Sequence, residues 1–565
     1  MKKTLLIIFI IVSNRFVTQT LNLQWVKGID CLNNDRVTSI KTDASNNVYT
    51  TGYFGTTSDF DPSNLTYTLS PIGQTDIFIL KQDGSGNIQW VKSIGGISAE
   101  IGNSIDVDIS GNVYVTGNFS GTVDFDPGSG VYNLTAVGAD DAFILKLDAS
   151  GNFLWAKQIG GSSTDYSYSL KINNGFVFIA GLFSGTTDFN PSAGSYTVTS
   201  YGSFDIFVAK FDLSGNFVWA KQMGGTSSDM ARSLVLDAGG NIYVTGNFNG
   251  TGDFDPSSTS YNLSSNGQSD IFIAKLDVNG NFLWARDMGG SMGDIAFSIA
   301  IDMSNNVYTT GFYTGVANFD PASSSFTLSS VGGSVDIFIL KLDALGNFIW
   351  AKGIGGTSGD IGNSIAVDPL GNVFTTGMFQ GIADFNPGPG TATLSSVGGS
   401  KDIFISKLDP SGNYVWAQKF GDFGGDVGSS IYLNALGDIY STGNYAYTVD
   451  FDPSLGVDTL STQGYDNIYI VKFNEATVGL KENFDATNIK VYPNPTNGIL
   501  DIESENFLTN KNVKIQVQNS LGQMIYSVTL DYQKAQIDLR FLNSGLYYLI
   551  MISDKKTETI KVIKN

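Results

Sequence analysis

The strongest constraint on the fold is a long repeat that is marked by tryptophan. The chain has seven tryptophans, and their successive spacings are 65, 65, 64, 65, 66 and 66 residues. A constant period of this length is typical of repeat architectures, in which each copy forms one supersecondary unit. The seven residues are Trp25, Trp90, Trp155, Trp219, Trp284, Trp350 and Trp416.

Each copy contains the pattern of four short antiparallel strands. In the copy at Gly346–Asp409, apolar and aromatic residues alternate in short runs, and turns such as Asp368–Asn372 separate them. Gly and Asn accept the positive φ of tight hairpins, and no helical period is present. Four strands per repeat indicate the blade of a β-propeller. A β-solenoid has shorter coils, and a string of sandwich domains needs roughly 100 residues for each domain.

The two ends of the array are complementary. The first tryptophan strand, Leu21–Ile29, precedes the first complete unit, whereas the last third strand, Asn467–Phe473, is followed by no tryptophan strand. Pairing these two strands would complete a seventh unit and cover two open sheet edges. The sequence therefore predicts an all-β fold, with residues 21–474 forming a seven-bladed β-propeller that is closed by its N-terminal strand.

The regions outside the array differ from it in composition. Lys2 and Lys3 precede an apolar run over residues 5–12, which is typical of a secretory signal peptide and too short for a membrane span. We assign residues 1–20 to this peptide, with an uncleaved anchor as the alternative. A polar linker over 475–486 precedes residues 487–565, which lack the repeat and are predicted to form a small C-terminal β-sandwich domain.

The composition excludes several classes of chemistry. The chain has no histidine, which removes Ser-His-Asp catalysis and most zinc sites, and Cys31 is its only cysteine, so no intrachain disulfide can form. The formal net charge of −21 repels nucleic acid and anionic lipid. We expect a monomer with no nucleic-acid partner and no transmembrane span.

Two polar positions recur before and within the first strand of each copy. The first is an acid, and the second is a serine four residues later. The acids are Asp35, Glu100, Asp165, Asp229, Asp294, Asp360 and Asp426. The serines are Ser39, Ser104, Ser169, Ser233, Ser298, Ser364 and Ser430. Because a catalytic site is normally unique, sevenfold repetition favours a structural role for both positions, and we predict no catalytic residue.

A third recurrent motif, Asp-Phe-Asp-Pro, follows the second strand. Its carboxylates are the oxygen ligands that Ca²⁺ prefers, although no complete calcium loop is present. The candidate ligands are Asp59, Asp61, Asp124, Asp126, Asp253, Asp255, Asp450 and Asp452. The alternative is that short acids accept hydrogen bonds from backbone N–H groups in tight loops. We favour this alternative, and so predict no cofactor, with Ca²⁺ as the competing hypothesis.

Two resemblances follow from these motifs. The unit G-N-x-x-W-A-K, S-I-x-x-D, G-N-V-Y-x-T-G and D-I-F-I-x-K-L-D resembles the bacterial SBBP-type β-propeller repeat. The C-terminal segment resembles the type A sorting domain of the type IX secretion system. That second match is carried by Tyr492, Pro493, Asn494, Pro495, Asn497 and Gly498, together with later segments of the domain. It implies contact with the type IX machinery, processing of both termini, and release or attachment at the outer-membrane surface.

These observations lead to three functional hypotheses. The first is a binding or adhesion module at the cell surface with a glycan or protein ligand. The alternatives are an extracellular carbohydrate-active enzyme and a purely structural component of the surface. We expect a protein that is not an enzyme, because no copy of the repeat contains loops with unique polar residues.

Overall fold

The computed structural model describes most of the chain. The described residues are 19–30, 35–61, 65–192, 194–322, 326–454, 456–462, 467–477, 489–494, 496–504, 513–519, 524–530, 534–542, 545–552 and 557–564. The chain divides into two compact units, Met1–Val478 and Gly479–Asn565. Most of the predicted signal peptide, most of the predicted linker, Cys31 and Pro495 lie outside the described residues, so these assignments stay predictions.

The first unit consists of seven successive sheets, each with four long antiparallel strands, and the two short strands of a hairpin extend five of them to six strands. This gives the all-β, propeller-like pattern predicted from the repeat. The inner strands are Arg36–Thr42, Glu100–Val107, Asp165–Asn173, Met230–Leu236, Ile295–Ile301, Ile361–Val367 and Val427–Leu433. The second strands are Val48–Phe54, Val113–Phe119, Phe176–Phe183, Ile242–Phe248, Val307–Thr314, Val373–Gln380 and Ile439–Tyr445.

The outer half of each sheet contains the tryptophan. The third strands are Asp76–Gln82, Asp141–Leu147, Asp205–Asp212, Asp270–Leu276, Val335–Leu342, Lys401–Leu408 and Asn467–Thr477. The fourth strands are Ile88–Gly96, Phe153–Gly161, Phe217–Gly225, Phe282–Gly290, Phe348–Gly356, Tyr414–Phe420 and, in the last sheet, Gln19–Ile29. Two 3₁₀ turns, Val331–Gly333 and Val397–Gly399, are the only helical elements in the described part of the chain.

Every inner strand has a β-bulge at the same place. In the first sheet Val37 pairs with Gly52 and Ser39 pairs with Thr51, so Thr38 has no partner opposite it. The glycine opposite the bulge is required, because a Cβ at Gly52 would overlap the carbonyl oxygen of Arg36. A bulge bends its strand and changes the direction of one side chain, and here it recurs in all seven inner strands.

The hydrophobic core lies between neighbouring sheets. Trp90 of the first sheet packs with Tyr49 of its own sheet and with Ile105 and Val115 of the second sheet. The Trp90 indole Nε1 donates a hydrogen bond to the carbonyl oxygen of Ala149, which lies in the turn between the third and fourth strands of the second sheet, at 3.2 Å. Six of the seven tryptophans thus combine apolar packing with a hydrogen bond to the next sheet, whereas the Trp219 indole Nε1 is buried without a hydrogen-bond partner among the described residues.

The Asp-Phe-Asp-Pro motif forms a short hairpin after each second strand. In the second repeat, Val123 and Asp124 pair with Gly96 and Gly95 at the outer strand of the preceding sheet. The hairpin strands are Ser58–Asp59 with Thr68–Leu69, Thr122–Asp124 with Asn133–Thr135, Thr186–Asp188 with Thr197–Thr199, Thr251–Asp253 with Asn262–Ser264, Val316–Asn318 with Thr327–Ser329, Ile382–Asp384 with Thr393–Ser395, and Thr448–Asp450 with Thr459–Ser461.

The N-terminal strand Gln19–Ile29 pairs antiparallel with Asn467–Thr477, the third strand of the last sheet. Leu23 lies opposite Phe473, as the complementary ends of the array predict. The third strand continues to Thr477, three residues beyond the predicted end of the repeat array at residue 474.

The first and last sheets are also in direct contact. The Asn434 side-chain amide donates to the Asn46 carbonyl oxygen Oδ1 at 2.9 Å. The Asn444 amide donates to the backbone carbonyl oxygen of Asp35 at 2.6 Å. These contacts join the two ends of the array along a second line, in addition to the pairing of the N-terminal strand.

The second unit is a small all-β domain with two sheets. One sheet contains Ile489–Tyr492, Ile499–Ser504 and Lys534–Asp538, and the other contains Met524–Leu530, Val513–Asn519, Gly545–Ile552 and Thr557–Lys564. Leu500 and Ile537 of the first sheet share one buried core with Ile515 and Leu549 of the second sheet. No helix in the described part of the protein has the length and hydrophobicity needed to span a bilayer.

Candidate binding site in the central cavity

The inner strands of all seven sheets line a single cavity of about 490 Å³. Each inner strand contacts the next along the chain, and the first, Arg36–Thr42, contacts the last, Val427–Leu433. Cavities that bind small ligands in proteins have volumes of roughly 300–1,000 Å³, so this one is large enough for a small molecule. We call it the central cavity.

Two layers of side chains account for the lining that differs between copies. The bulge layer contains the unpaired residue of each bulge: Thr38, Asn103, Tyr168, Arg232, Phe297, Asn363 and Ser429. The second layer lies three residues further along each strand, about 10 Å at the usual rise of a β-strand. Its members are Lys41, Asp106, Lys171, Val235, Ala300, Ala366 and Tyr432.

Sequence reasoning missed these residues, because it compared the copies for what they share. The fixed positions of the repeat are an acid, a serine and a tryptophan, whereas the two cavity layers contain aliphatic, aromatic, amide, acidic and basic residues. The sequence does contain a signal for them, namely positions that vary between copies within a strand that is otherwise repeated. A ligand site in a symmetric scaffold has to be made of such positions, since identical copies can form only identical sites.

One ion pair lies in the second layer of the central cavity. Lys41 Nζ is 3.3 Å from Asp106 Oδ1 and lies over the Tyr432 ring, 4.7 Å from its centroid. Burial opposes ionisation of both partners. The Lys41 ammonium nevertheless holds the pKa of the Asp106 carboxyl below its usual value, and Asp106 in turn raises the pKa of Lys41. This pair is therefore charged and internally neutralised.

Lys171 is the third charged residue of this layer, and it follows Asp106 on the next sheet. Burial lowers the pKa of Lys171, with Asp106 acting in the opposite direction. Asp106 Oδ2 accepts the backbone N–H of Ile172 at 2.9 Å and forms no ion pair with the Lys171 ammonium. Among the described residues, no side chain forms a hydrogen bond or an ion pair with the Lys171 ammonium.

Arg232 is the one charged residue of the bulge layer. Its guanidinium carbon lies 5.7 Å from the centroid of the Tyr168 ring and 5.3 Å from that of Phe297, on the two neighbouring sheets. Its polar contacts are long, at 3.4 Å from Nε to Asn247 Oδ1 and 3.6 Å from Nη2 to Met230 Sδ. In the described part of the chain, Arg232 has no carboxylate partner.

The recurrent serines link neighbouring inner strands. The Ser104 hydroxyl oxygen accepts the backbone N–H of Leu170 at 3.1 Å, and Ser169 accepts that of Leu234 at 3.1 Å. Equivalent bonds join Ser39 to Ile105, Ser233 to Ile299, Ser298 to Ile365 and Ser364 to Ile431. Six of the seven serines thus form hydrogen bonds between neighbouring inner strands, as expected for residues with a structural role.

The recurrent acids accept backbone hydrogen bonds where two sheets meet. Asp360 accepts the N–H of Gly356 at 2.7 Å through one oxygen and that of Gln380 at 3.0 Å through the other. Asp165 accepts the N–H of Gly161 at 2.9 Å and the Thr187 hydroxyl at 2.7 Å. All seven side chains are fully buried. Their bonds connect the outer strand of one sheet to the inner strand and hairpin of the next.

The Asp-Phe-Asp-Pro acids, which are the calcium candidates, accept hydrogen bonds within their own hairpins. Asp253 Oδ1 accepts the N–H of Asp255 at 3.0 Å and that of Tyr261 at 2.9 Å. Asp124 and Asp450 do the same in their copies. In the described residues no three acidic side chains converge on one point in the way a metal ion requires.

The predicted sorting motif lies at the start of the second unit. Tyr492, Pro493, Asn494 and Asn497 are exposed, whereas Gly498 is buried. The N–H of Gly498 donates to the Thr496 hydroxyl oxygen at 3.0 Å, which tightens the turn between the first two strands of this domain. The exposed part of the motif is thus displayed by a defined turn.

Comparison with known families decides the identity of this second unit. Residues 490–565 match the family model described as "Secretion system C-terminal sorting domain". This unit is a type IX sorting domain. Such a domain indicates export to the cell surface or the extracellular space, as the sequence predicts. Residues 89–118 and 349–378 match the model described as "Beta-propeller repeat".

The curated relatives are distant, and this chain spans less than a third of the length of each. An uncharacterized WD repeat-containing protein, L264 of Acanthamoeba polyphaga mimivirus, is 23% identical over 457 residues, covering 66% of this chain and 32% of that protein. The regulatory protein FlaEY of Caulobacter vibrioides is 24% identical over 183 residues, covering 32% of this chain and 19% of that one.

Among solved structures, PorZ of Porphyromonas gingivalis, a surface component of the type IX secretion system, matches with 13% identity. The match covers 94% of this chain and 81% of PorZ, with a TM-score of 0.23.

Proposed function

We propose that this chain is a secreted or surface-displayed binding module. In this proposal its seven sheets form a closed seven-bladed propeller, and its ligand, a glycan or a protein, contacts the central cavity. Closure is supported by the pairing of Gln19–Ile29 with Asn467–Thr477 and by the hydrogen bond between Asn434 and Asn46. Export is provided by the sorting domain.

The observation that carries the binding proposal is the distribution of variation among the copies. Positions that hold the sheets together are the same in all or nearly all copies, as are the serines and tryptophans. The bulge layer and the second layer, by contrast, differ from sheet to sheet and face one shared cavity. Conformational stability needs only the repeated positions, so an asymmetric lining favours recognition of an asymmetric ligand.

The backbone explains how a repeated scaffold can present such residues. Each bulge releases one residue from the strand pairing, so its side chain can change without altering the ladder of the inner hairpin. Tyr168, Arg232 and Phe297 occupy three consecutive bulges with equal backbone registers. The sheets therefore serve as a rigid support and the bulges as replaceable contact positions.

The test is to apply the purified full chain to arrays of glycans and of cell-surface proteins. The proposal predicts binding by the wild type and loss of at least tenfold in affinity for Ala300→Trp, because the added indole fills the second layer of the central cavity. Ala238→Trp, in an exposed turn of the fourth sheet, is the matched control and should bind normally. Normal binding by a correctly folded Ala300→Trp variant would contradict the proposal.

Folding of the cavity variant has to be checked separately, because Ala300 also contacts the core between two sheets. Ser429→Trp fills the cavity from the last sheet, and its side chain belongs to the bulge layer. Equal melting temperatures for this variant and the wild type, together with loss of binding, would support the cavity as the site.

A further inference from the structure

We infer that the ligand of the central cavity is a small organic anion that is bound by the basic side chains of Lys171 and Arg232. This inference rests on the binding role proposed above, and it assigns a small anionic molecule to the cavity in place of a whole glycan or protein. It is carried by the charges, the aromatic contacts and the volume of the cavity.

The charges in the central cavity do not balance. Apart from tyrosines, four lining residues have acidic or basic side chains, namely Lys41, Asp106, Lys171 and Arg232. Lys41 and Asp106 neutralise each other at 3.3 Å. Lys171 and Arg232 remain as two cations without a carboxylate partner among the described residues, in a chain whose formal net charge is −21.

An uncompensated cation inside a protein is costly, because burial removes it from water without supplying a counter-charge. Asp106 acts on Lys171 only at a distance and forms no direct ion pair with it. Its two oxygens already contact the Lys41 ammonium and the N–H groups of Ile172 and Val107. An anionic ligand would supply the missing counter-charge, whereas a neutral ligand would leave both cations unpaired.

Arg232 is arranged so that it can bind a carboxylate. The rings of Tyr168 and Phe297 flank its guanidinium group and restrict its position through cation–π contacts. A guanidinium group binds carboxylates through two parallel N–H···O bonds. The long contacts to Asn247 and Met230 use its nitrogens only weakly, so they compete little with such a ligand.

The cavity and the outer surface restrict the ligand further. A volume of about 490 Å³ admits a molecule with the size of a sugar acid or a di- or tricarboxylate. The net negative charge of the chain opposes the approach of a large polyanion. The aromatic faces of Tyr168 and Phe297 provide apolar contact for the carbon skeleton, which an inorganic anion lacks.

The experiment uses the full chain with citrate, succinate and galacturonate as probes. Galactose serves as the neutral counterpart of galacturonate, sulfate as an inorganic anion, and sodium chloride equalises the ionic strength. We expect at least one organic anion to raise the melting temperature and to bind in calorimetry, with no binding of galactose. Lys171→Met and Arg232→Met should each weaken that binding by at least tenfold, whereas Lys157→Met, on an outer strand, should not.

The ligand-free protein provides an independent readout. Lys171 is half-buried and has no ion-pair partner among the described residues, so Lys171→Met should leave the melting temperature unchanged or raise it. Loss of a lysine with a structural role would lower it. A clear loss of stability in Lys171→Met would overturn the inference. Failure of all three organic anions to bind, or equal binding of sulfate, would also overturn it.

Results that contradict the anionic ligand can be distinguished from results that contradict the proposed binding function. If a neutral glycan binds the wild type and fails to bind Ala300→Trp, the central cavity is a binding site and only the anionic class is wrong. If Ala300→Trp and Ser429→Trp retain every ligand found on the arrays, the binding role of the cavity is wrong, and the anion inference is wrong with it.

Discussion

At the scale of single residues, the Glu475 carboxylate accepts the hydrogen bonds that a backbone carbonyl oxygen accepts between other neighbouring sheets. In four other sheets a tryptophan and a lysine donate to the same carbonyl oxygen in a turn of the next sheet, as Trp350 and Lys341 do to that of Pro410, both at 3.2 Å. In the last sheet the third strand continues through Glu475 to Thr477 at the place where the other sheets turn. There Trp416 Nε1 donates to Glu475 Oε1 at 2.8 Å, and Lys407 Nζ lies 2.6 Å from Oε2.

Glu475→Ala should therefore destabilise the first unit. Lys407 is only 2% exposed, and removal of the Glu475 carboxylate breaks the salt bridge of this buried ammonium, which costs about 3–5 kcal/mol. Urea unfolding followed by tryptophan fluorescence measures this loss. Glu475→Gln keeps an oxygen acceptor and should lose less. Equal stability of the alanine variant and the wild type would show that the contact contributes nothing.

The acids of the Asp-Phe-Asp-Pro hairpins give a second prediction at this scale. Asp253→Ala should cost about 1–2 kcal/mol, because the N–H groups of Asp255 and Tyr261 lose their acceptor. Because backbone donors already use the Asp253 oxygen, millimolar Ca²⁺ and a chelator should change the melting temperature of the wild type by a few degrees at most. A large rise with Ca²⁺ would favour the calcium hypothesis, since ligand binding to the folded state raises stability.

At the scale of elements, two buried carboxyl groups lie near each other where neighbouring sheets meet. One member begins a third strand, such as Asp336, and the other precedes the next inner strand, such as Asp360. Burial raises the pKa of Asp360 to about 7, and the charge of Asp336 adds to the effect. Burial likewise raises the pKa of Glu100, Asp165 and Asp426 to about 7.

These shifts predict how stability depends on pH. The folded protein binds the protons more tightly than the unfolded chain, whose carboxyl groups titrate near pH 4, so stability falls as pH rises from about 4 to about 7. Thermal melts should give a melting temperature several degrees higher at pH 5 than at pH 8. Asp336→Asn, which copies the Asn467 found at the same place in the last sheet, should reduce the difference. Greater stability at pH 8 would contradict this account.

The elements were largely predictable from the sequence, whereas the cavity was not. Turn residues and alternating apolar residues depend on local geometry, so the four strands of each copy and the pairing of Leu23 with Phe473 follow from the repeat. The bulge depends on the partner strand, because it requires Gly52 or its equivalent opposite. Without the bulge, nothing in the sequence separates Arg232 from ordinary surface variation.

At the scale of the whole molecule, the two units have separate tasks. The first unit contains the central cavity, and the second is the sorting domain. Deletion of residues 487–565 should leave a first unit that folds normally but accumulates in the periplasm. Cell fractionation with an antibody against the first unit measures this. Truncated protein at the surface or in the medium would show that export does not depend on the sorting domain.

The proposed binding function requires that the first and last sheets are neighbours around one cavity. A short thiol–thiol cross-linker tests this most directly in a Cys31→Ser background. Cysteines at Asn46 and Asn434, whose side chains are hydrogen-bonded at 2.9 Å, should be joined within one chain, as intact mass and peptide mapping would show. The control pair Asn46→Cys with Ala238→Cys, on the first and fourth sheets, should remain unlinked. Free thiols at positions 46 and 434 in the folded protein would contradict closure and with it the central cavity.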